Sequence, residues 1–352
     1  METAPAVAIL LVTYSGAKCL DRLYPSICRL RYPRERYSLL VIENGPERDS
    51  ARWFAERAPH VRVIVPGENT GYAGGNALGM SEAIASGVDY VAVITQDTEL
   101  DQDWLRELVD VGERYPAVGA IQPKILRRDA HGQPVINSWG NELHFLGIGY
   151  PGGDGLPDRP LEIRRIPYAS GAGLLYRVRA LQTVGVFDPA FFMYHEDTDL
   201  SWRMRLAGYD VLLAPRAVMS HDYGFKRSVD KFYYIERNRL INLLTHYRLR
   251  TLALLGPALL LFELFALGYA LREGWFLKRL AVYGFLLRPG SCAYLSRKRR
   301  WVQSVRRIPD RAIVGNLTGR IEFGPIDSLP VRRVVNPLLD LYWRFVRPLI
   351  VW

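Results

Sequence analysis

The sequence predicts an α/β fold with a mostly parallel, doubly wound sheet of the Rossmann-like kind, followed by a helical C-terminal region. Three observations support this class. Short apolar β-rich runs alternate with helix-length segments, each run ends in polar or turn residues, and the C-terminal third changes to long aliphatic and basic stretches. A chain of 352 residues with 49% hydrophobic content is also large enough to bury a full core.

The first half of the chain contains four predicted buried strands: VAILLVTY (7–14), YSLLVIE (37–43), VRVIVP (61–66) and YVAVIT (90–95). Helices are predicted at about 17–30, 48–58, 76–86 and 101–115. This alternation indicates a parallel sheet covered on both faces, because each return to a parallel strand needs a crossover helix. Ligands bind beyond the carboxyl ends of such strands, so the residues directly after each strand are the site candidates.

The pattern changes after AVGAIQPKI (117–125). Residues 127–165 are rich in glycine, proline and polar residues and are interpreted as an excursion with a hairpin and a loop. Regular elements return with YASGAGLLYR (168–177), helices near 178–184 and 196–207, and the strand YDVLLAP (209–215). The predicted organisation is one domain over 1–228, a connecting helix over 229–250 and a basic, apolar helical region over 251–352.

The positive charge of the chain lies in its C-terminal third. Residues 246–352 contain 18 Lys and Arg against 6 Asp and Glu, a net charge of +12, whereas the whole chain carries +10. Because tryptophan, tyrosine and aliphatic runs accompany the arginines, this composition favours an anionic membrane surface over nucleic acid. The run RKRRW (297–301) is interpreted as a membrane-facing patch. Three cysteines without metal-ligand spacing indicate free thiols in a reducing compartment.

Two apolar segments follow one another in this region. TLALLGPALLLFELFALGYAL (251–271) has one acid, Glu263, and matches the roughly 20 apolar residues that cross a bilayer. GWFLKRLAVYGFLL (274–287) is too short to cross and contains Lys278 and Arg279. The two segments are interpreted as a surface-lying or re-entrant pair of helices, with a single span through 251–271 as the alternative.

Several candidate site residues follow the predicted strands. They are Thr13 and Tyr14, Glu43, the glycine-rich loop with Gly71, Gly74 and Asn76, and Asp97. Polar residues also end strands to form turns, so each of these alone fits a turn or a site equally well. The glycine spacing matches neither a dinucleotide fingerprint nor a P-loop, but glycine lets the backbone approach a ligand closely at a helix N-terminus.

Asp97 stands directly after a buried strand, where an unpaired carboxylate is costly unless it meets a cation or water. Beside a diphosphate, such a carboxylate would hold Mg²⁺ or Mn²⁺, which takes one or two protein oxygens plus phosphate oxygens. His221, after APRAVMS, would return near the same edge of the sheet and could supply a further ligand. A lone histidine is more often structural, so both interpretations of His221 stay open at this point.

The stretch YHEDTDLSWR (194–203) places Glu196, Asp197 and Asp199 at the start of a predicted helix. Acids in a first helical turn complement the helix dipole, and Asp199 with Arg203 fits an i,i+4 ion pair. These two effects explain two of the acids. The third is left for another role.

Seven segments of the chain occur in a characteristic order. They are VTYS (12–15), NTGYAGGNALGM (69–80), TQDT (95–98), SGAGLLYR (170–177), FFMYHEDTDLSWR (191–203), His221 and YYIERNRL (233–240). Together they resemble a family 2 glycosyltransferase of the GT-A fold, and most of all the rhamnosyltransferase-like members that build cell-surface glycans on lipid carriers. The resemblance covers about residues 6–248.

The resemblance implies inverting transfer of a sugar from a nucleotide-diphospho-sugar in a single displacement. In the family, two sets of residues contact the donor. Their matches here are Thr13, Tyr14 and Glu43, which would hold the nucleoside, and Gly71, Gly74 and Asn76, which would shape the donor pocket.

The resemblance also implies the roles of the charged residues. Asp97 would bind the metal and the diphosphate, and His221 would complete the metal site. Asp197 matches the general base of the family, and Glu196 would shape the pocket or bind the acceptor. Arg237 is a candidate second neutraliser of the diphosphate.

Two positions depart from the family pattern. The second strand usually ends in Asp, and this chain has Glu43. The first position of the acid-x-acid motif is Thr95, so that Asp97 alone is kept in register. The first departure affects how the nucleobase of the donor would be recognised. The second affects the expected use of a divalent metal.

We therefore expect an inverting glycosyltransferase at the cytoplasmic face of the cell membrane. It would move one sugar from a dTDP-rhamnose-like donor, or alternatively a UDP- or GDP-sugar, to a hydroxyl of a lipid-linked or cell-surface glycan. Residues 251–352 would contact an anionic membrane, nucleic acid is not an expected partner, and a homo-oligomer is left open. The alternatives are a non-catalytic scaffold or sugar-binding membrane adaptor, and a soluble transferase whose C-terminal helices form a dimer interface.

Overall fold

The computed structural model describes residues 4–222, 229–322 and 331–352. The chain divides into two compact units. The first consists of Met1–Asn141, Pro151–Met204 and Tyr209–Gly224, and the second of Glu142–Tyr150, Arg205–Gly208 and Phe225–Trp352. The domain boundary predicted at residue 228 lies outside the described residues.

The strands of the chain are β1 (Val7–Thr13), β2 (Tyr37–Glu43), β3 (Arg62–Ile64), β4 (Tyr90–Thr95), β5 (Thr98–Leu100), β6 (Val118–Arg128), β7 (Pro134–Ser138), β8 (Asn141–Leu143), β9 (Gly149–Pro151), β10 (Arg164–Arg165), β11 (Gly173–Arg177) and β12 (Asp210–His221). The α-helices are α1 (Ala17–Cys28), α2 (Asp49–Arg57), α3 (Gly71–Ala85), α4 (Trp104–Arg114), α5 (Val178–Val184), α6 (Glu196–Leu206), α7 (Val229–His246), α8 (Leu249–Arg272), α9 (Phe276–Leu287), α10 (Pro289–Val305), α11 (Asp310–Val314) and α12 (Asn336–Val346).

The first unit is built on a ten-stranded sheet with the order β10-β12-β6-β11-β4-β1-β2-β3, to which β5 adds by pairing with β12 and β7 by pairing with β6. β1 is parallel to β2 and β4, β2 is parallel to β3, and β6 is parallel to β12. β11 runs antiparallel to both of its neighbours. The predicted α/β class with a mostly parallel sheet is confirmed.

The core lies on both faces of the central strands. β1 is a continuous apolar run and is buried along its whole length, as expected for a strand covered by helices on two sides. Ile9 and Leu11 belong to a cluster that includes Leu20 of α1 and Trp104 of α4. On the other face α3 comes so close that a Cβ atom at Gly79 would lie 2.1 Å from Leu10 Cδ1. Glycine at this position therefore allows α3 to cover β1.

Two elements extend beyond their predicted limits, and both extensions form the site. α3 begins at Gly71 and not near residue 76, because tertiary packing overrides the low helix propensity of its glycines. β12 continues to His221 because its last residues pair with β5, where His221 lies opposite Thr98. The polar side chain of His221 is therefore fixed on a strand.

The predicted excursion is ordered and divides between the units. β7 pairs with β6 in the large sheet, while β8 and β9 form a separate two-stranded sheet. Residues 142–150 belong to the second unit, where Phe145 stacks on Trp343 at a ring distance of 4.7 Å. Tyr150 also donates its hydroxyl to Arg320 O at 2.9 Å.

The second unit is helical and contains a buried ionic cluster of Glu236, Arg239, Glu263, Arg279 and Tyr283, contributed by α7, α8 and α9. Glu263 is ion-paired with Arg239 and Arg279, and Tyr283 donates its hydroxyl to Glu263 Oε2 at 2.7 Å. Burial works to raise the pKa of Glu236, but Arg239 and Arg279 outweigh it and lower the pKa to about 2. The four charges of this cluster are therefore paired with one another.

Among the described residues, α8 is the one helix long and apolar enough to cross a membrane, judged by length and composition alone. Its 24 residues include an 18-residue stretch with a mean hydropathy of 1.9, and 17% of that stretch is buried in the protein. Most of the apolar surface of α8 is thus left uncovered by the described residues.

Within α6, the expected i,i+4 ion pair is formed and fully buried. The side chains of Asp199 and Arg203 are both 0% exposed. Arg203 donates from Nε and Nη2 to Asp199 Oδ2 at 3.0 and 2.7 Å, and from Nη2 to Val186 O at 2.8 Å. The pair anchors the helix that carries the other two acids.

Asp199→Asn is expected to lower the free energy of unfolding by about 3 to 5 kcal/mol, because a buried guanidinium loses its carboxylate. Urea denaturation of the full chain measures this change. The matched control is Glu82→Gln, which breaks the exposed pair with Arg62 and is expected to cost about 1 kcal/mol or less. Equal losses in both variants would contradict the structural role of the buried pair.

Candidate active site

The carboxyl ends of β1 and β4 are joined through Gln96. Tyr14 N–H donates to Gln96 Oε1 at 2.9 Å, and Gln96 Nε2 donates to Tyr14 O at 3.2 Å. The Tyr14 side chain is 51% exposed, whereas Thr13 is fully buried and its Oγ1 has no hydrogen-bond partner among the described residues. Buried polar groups without a partner are rare and require an explanation such as water or a ligand.

Glu43 is buried at the end of β2 and holds the loop that follows. Oε1 accepts a hydrogen bond from Gly45 N–H at 2.8 Å, and Oε2 accepts one from Ala51 N–H in the first turn of α2 at 3.1 Å. Both oxygens are therefore engaged with the backbone. The predicted contact of Glu43 with a nucleoside stays a prediction.

Asn44 connects the end of β2 to the glycine-rich start of α3. Its Nδ2 donates to Gly71 O at 2.7 Å, and its Oδ1 accepts from Thr70 Oγ1 at 3.0 Å. The sequence places Asn44 beside Glu43 after the second strand, where site residues are expected, but it assigns Asn44 no contact of its own.

The predicted donor loop packs closely against other parts of the same unit. Gly71 has a φ of +70°, and a Cβ atom there would lie 2.4 Å from Phe192 O. A Cβ atom at Gly74 would lie 2.8 Å from Thr70 Cβ. Asn76 is fully buried, donates from Nδ2 to Tyr72 O at 2.9 Å, and leaves its Oδ1 without a partner among the described residues. The two glycines thus serve close chain packing.

The segment before α6 is held in an unusual backbone conformation. Phe192, Tyr194 and His195 have φ values of 62°, 67° and 65°. Residues other than glycine seldom adopt a positive φ. Ala73 N–H fixes the segment by donating to Phe192 O at 2.9 Å. Such strain is often found where a functional side chain must be aimed precisely.

Glu196 and Asp197, the first residues of α6, differ in their surroundings. Asp197 is half-buried, and its Oδ2 accepts from Gly171 N–H at 2.9 Å while its Oδ1 accepts from Thr198 N–H at 2.6 Å. Glu196 is 4% exposed, and its Oε2 has no partner among the described residues. The hydrogen bonds favour the ionised form at Asp197, and burial favours the neutral form at Glu196.

The two carboxyls titrate as a pair. Burial raises the pKa of Asp197, with the hydrogen bonds from Gly171 and Thr198 opposing the shift. Burial and the charge of Asp197 together raise the pKa of Glu196 well above its ordinary value. Of the two, Asp197 is therefore the one suited to be ionised and to accept a proton.

Tyr72 connects the donor loop to the acids through Gly171. Its hydroxyl donates to Gly171 O at 2.5 Å, and Gly171 N–H in turn donates to Asp197. Burial raises the pKa of Tyr72 well above its ordinary value, and the charges of Glu196, Asp197 and Asp97 add to the shift. These charges disfavour the ionised form of Tyr72, so its hydroxyl keeps the proton that it donates to Gly171 O.

Asp97 and His221 meet at the carboxyl edge of the sheet. His221 Nε2 lies 3.3 Å from Asp97 Oδ1, and His221 Nδ1 lies 3.3 Å from Asn137 Oδ1. If His221 Nδ1–H donates to Asn137 Oδ1, then Nε2 carries a lone pair that faces Asp97 Oδ1. A cation or a proton between these two atoms stabilises the arrangement. Burial works to raise the pKa of Asp97, but His221 outweighs it and the pKa lies below its ordinary value.

These two side chains fit a divalent ion that also takes phosphate oxygens, since such an ion needs only one or two protein ligands. No group of three or more His, Cys, Asp or Glu side chains that could hold a metal occurs within 4–222, 229–322 and 331–352. Asn137 was not predicted. It comes from β7, in the excursion for which sequence periodicity assigned no site residue.

Arg237 lies in the second unit, on α7. Its guanidinium carbon is 5.0 Å from the ring centre of Tyr234 and 5.1 Å from that of Phe285, and its Nε donates to Asn238 Oδ1 at 2.9 Å. The guanidinium is thus surrounded by aromatic rings of its own unit. The predicted contact of Arg237 with a diphosphate stays a prediction.

A mostly parallel sheet with acidic side chains beyond the carboxyl ends of its strands is the arrangement expected of the GT-A fold. The model of the family described as glycosyl transferase family 2 matches residues 8–185. The chain belongs to this family and is a glycosyltransferase, which favours the enzyme over the non-catalytic scaffold.

Two curated relatives have related activities. The N-acetylglucosaminyl-diphospho-decaprenol L-rhamnosyltransferase of Mycobacterium tuberculosis is 30% identical over 242 residues, which cover 62% of this chain and 76% of the relative. The low-salt glycan biosynthesis hexosyltransferase Agl10 of Haloferax volcanii is 25% identical over 201 residues, covering 56% of this chain and 61% of the relative. The predicted likeness to rhamnosyltransferases is confirmed.

A solved structure of GalNAc-T7 with UDP, GalNAc and Mn²⁺ has a similar fold. It superimposes with a TM-score of 0.56 at 15% identity, covering 70% of this chain and 48% of that chain. At this identity the match shows the fold alone, and this chain spans about half the length of that structure.

Tyr72→Phe is expected to lower kcat about tenfold, the value of one ordinary hydrogen bond, because Gly171 loses its anchor. A weaker bond from Gly171 N–H to Asp197 also raises the pKa of the carboxyl, so the acid limb of kcat/KM should move to higher pH. The pH profile of sugar transfer measures both effects.

Tyr176→Phe is the matched control, because the Tyr176 hydroxyl is buried and has no partner among the described residues. It should leave the acid limb in place. If both variants moved the limb equally, Tyr72 would have no positioning role.

Proposed function

We propose that the chain is an inverting glycosyltransferase that moves a sugar from a nucleotide-diphospho-sugar to a hydroxyl of a lipid-linked glycan. The observation that carries the proposal is the half-buried Asp197 carboxylate at the start of α6, held by hydrogen bonds from Gly171 N–H and Thr198 N–H. The named activity of the mycobacterial relative supports a dTDP-rhamnose-like donor and a diphospho-polyprenol acceptor. A UDP- or GDP-sugar is the second candidate donor.

The reaction is a single displacement. The acceptor hydroxyl gives its proton to Asp197 while its oxygen forms a bond to the anomeric carbon from the face opposite the donor diphosphate. The bond from that carbon to the diphosphate oxygen breaks, and the nucleoside diphosphate leaves with the electron pair. A positioned carboxylate base typically contributes about 10² to 10⁴ in rate, since a neutral sugar hydroxyl is a poor nucleophile.

The remaining predicted residues have supporting roles in this proposal. Thr13 and Tyr14 would contact the nucleoside at the end of β1, and Glu196 would shape the acceptor pocket. Asp97 and His221 would hold a divalent cation, either Mg²⁺ or Mn²⁺, which when bound neutralises charge on the diphosphate. Glu43 would also contact the nucleoside, and Gly71, Gly74 and Asn76 would shape the donor pocket. Arg237 is a candidate second neutraliser of the diphosphate.

We also propose that the second unit attaches the enzyme to the cytoplasmic face of an anionic membrane. Large apolar side chains are exposed on three of its helices: Leu260, Leu261, Leu264 and Phe265 of α8, Leu277 and Leu287 of α9, and Leu338 and Phe345 of α12. An exposed apolar surface combined with the net charge of +12 in 246–352 suits an interface with acidic lipids.

Asp197→Asn is expected to lower sugar transfer at least about a hundredfold and to leave donor affinity within about twofold, because the lost group acts on the acceptor proton. Transfer assays and calorimetry with dTDP-, UDP- and GDP-sugars measure the two quantities, and NMR of the product shows whether configuration inverts. Glu82→Gln is the control for a surface carboxylate. Unchanged turnover in Asp197→Asn would refute the base assignment.

Asp97→Asn is expected to weaken Mn²⁺ binding in the presence of nucleoside diphosphate, and Asn137→Ala is expected to weaken it about 10- to 100-fold by releasing His221. Electron paramagnetic resonance of free Mn²⁺ gives the affinities without any transfer reaction. Asp21→Asn, an exposed carboxylate on α1, is the control. Equal Mn²⁺ affinity in all three variants would rule out this pair as the metal site.

A further inference from the structure

The second unit contains an open cavity of about 590 Å³ with a strongly basic lining. It is lined by Arg248, Leu249, Arg250, Arg299, Gln303 and Arg306. Four of these six side chains are guanidinium groups, which are the protein groups best shaped to bind phosphate through paired hydrogen bonds. The lining therefore suggests a phosphate ligand.

Part of this lining is fixed in place by the end of α7. Arg299 Nη1 donates to Tyr247 O at 2.8 Å, and Gln303 Nε2 donates to Thr245 O at 2.9 Å. Arg306 donates to His246 O in the same turn. Because these bonds hold the side chains before any ligand arrives, a ligand would not have to order them.

The cavity has an excess of positive charge. Asp310 is buried and lies 2.6 Å from Arg306 Nη1, and its other oxygen accepts from Arg248 N–H at 2.9 Å. Among the described residues it is the one carboxylate that pairs with any of the four arginines. Burial lowers the pKa of Arg306 and outweighs the opposing effect of Asp310, and the charges of Arg248 and Arg299 add to the lowering. An anion among these guanidinium groups would relieve their mutual repulsion.

The first turn of α8 adds to the positive electrostatic potential of the cavity. Leu249 and Arg250, the first two residues of this 24-residue helix, both line the cavity. The side chain of Arg248 does not cap the helix, and within the described part of the chain the Asp310 carboxylate binds the N–H group of Arg248 alone among the first backbone N–H groups. The early N–H groups of a helix carry partial positive charge and bind phosphate readily. The Arg250 guanidinium is also held in place, 4.2 Å from the ring centre of Trp352.

The apolar surface of α8 starts at the cavity. This position favours a phosphate that belongs to a lipid over a phosphate that is free in water. Leu249 is itself 69% exposed, and the exposed side chains Leu260, Leu261 and Leu264 follow on the same helix. A ligand with a phosphate and an acyl chain could satisfy both the arginines and this surface. A free phosphate would satisfy only the arginines.

We propose that this arginine-lined cavity at the start of α8 binds the phosphate of an anionic phospholipid headgroup and thereby seats the enzyme on the membrane. The proposal rests on the membrane association proposed above and adds a defined headgroup site to it. The alternative is a diffuse electrostatic attraction to which every arginine of the second unit contributes.

The test compares two pairs of substitutions in the full chain that remove the same charge. Arg248→Gln with Arg250→Gln removes the two cavity arginines whose side chains do not bond the carbonyls of α7. Arg297→Gln with Arg300→Gln removes two exposed arginines of α10 outside the cavity. Circular dichroism checks folding, and Arg250→Gln alone replaces the first pair if that pair does not fold.

Calorimetry with short-chain dihexanoyl phosphatidylglycerol, below its micelle concentration, is expected to show saturable binding with one lipid per chain. The affinity should fall at least about tenfold in the cavity variant and less than about threefold in the α10 variant. Equal losses in the two variants, or the absence of saturable binding, would overturn the headgroup site. Inorganic phosphate binding as tightly as the lipid would overturn the lipid assignment.

Flotation of the wild-type chain separates this proposal from the one on which it rests. Flotation on phosphatidylglycerol vesicles but not on phosphatidylcholine vesicles is expected, with the cavity variant recovered from the anionic vesicles at a lower level than the α10 variant. Failure of the wild-type chain to float on either vesicle would refute membrane association itself. Flotation of both variants at the wild-type level would refute only the cavity.

Discussion

The hydrogen bond from Ala73 N–H to Phe192 O joins the two halves of the candidate site. One half is the glycine-rich start of α3, and the other is the strained segment that leads into the acids of α6. The contact is possible only because residue 71 is glycine, since a Cβ atom there would lie 2.4 Å from Phe192 O. One backbone contact therefore joins the glycine-rich start of α3 to the segment that leads into Asp197.

The sequence predicts the central strands well because they are covered on both faces. β1 and β4 are apolar up to their terminal threonines, and β2 and β4 match their predicted limits residue for residue. The start of α3 escapes prediction because a run of glycines looks like a loop until its packing against Phe192 and Val12 is known. Asn137 escapes for the same kind of reason, since it reaches His221 across 84 positions of sequence.

The sequence also does not predict which charged side chains of the C-terminal region face solvent. The run at 297–301 looks like one membrane-facing patch, yet Lys298 is buried and Arg299 donates to Leu244 O of α7 and to Tyr247 O directly after it. Arg279 looks like an interruption of an apolar helix, yet its side chain is fully buried and paired with Glu236 and Glu263. Composition predicts how many charges a helix carries, but contacts between helices decide which of them face solvent.

The buried ionic cluster bears on how α8 could meet a membrane. If α8 crossed the bilayer, Glu263 would need its partner Arg279 at the same depth, because an unpaired carboxylate in hydrocarbon is costly. Arg279 lies on α9, whose 12 residues span about 18 Å, well short of the roughly 30 Å hydrocarbon core. A pair lying along the surface keeps the ions inside the protein and places the exposed leucines in the lipid. The ion pairs thus favour the surface-lying arrangement over a single span.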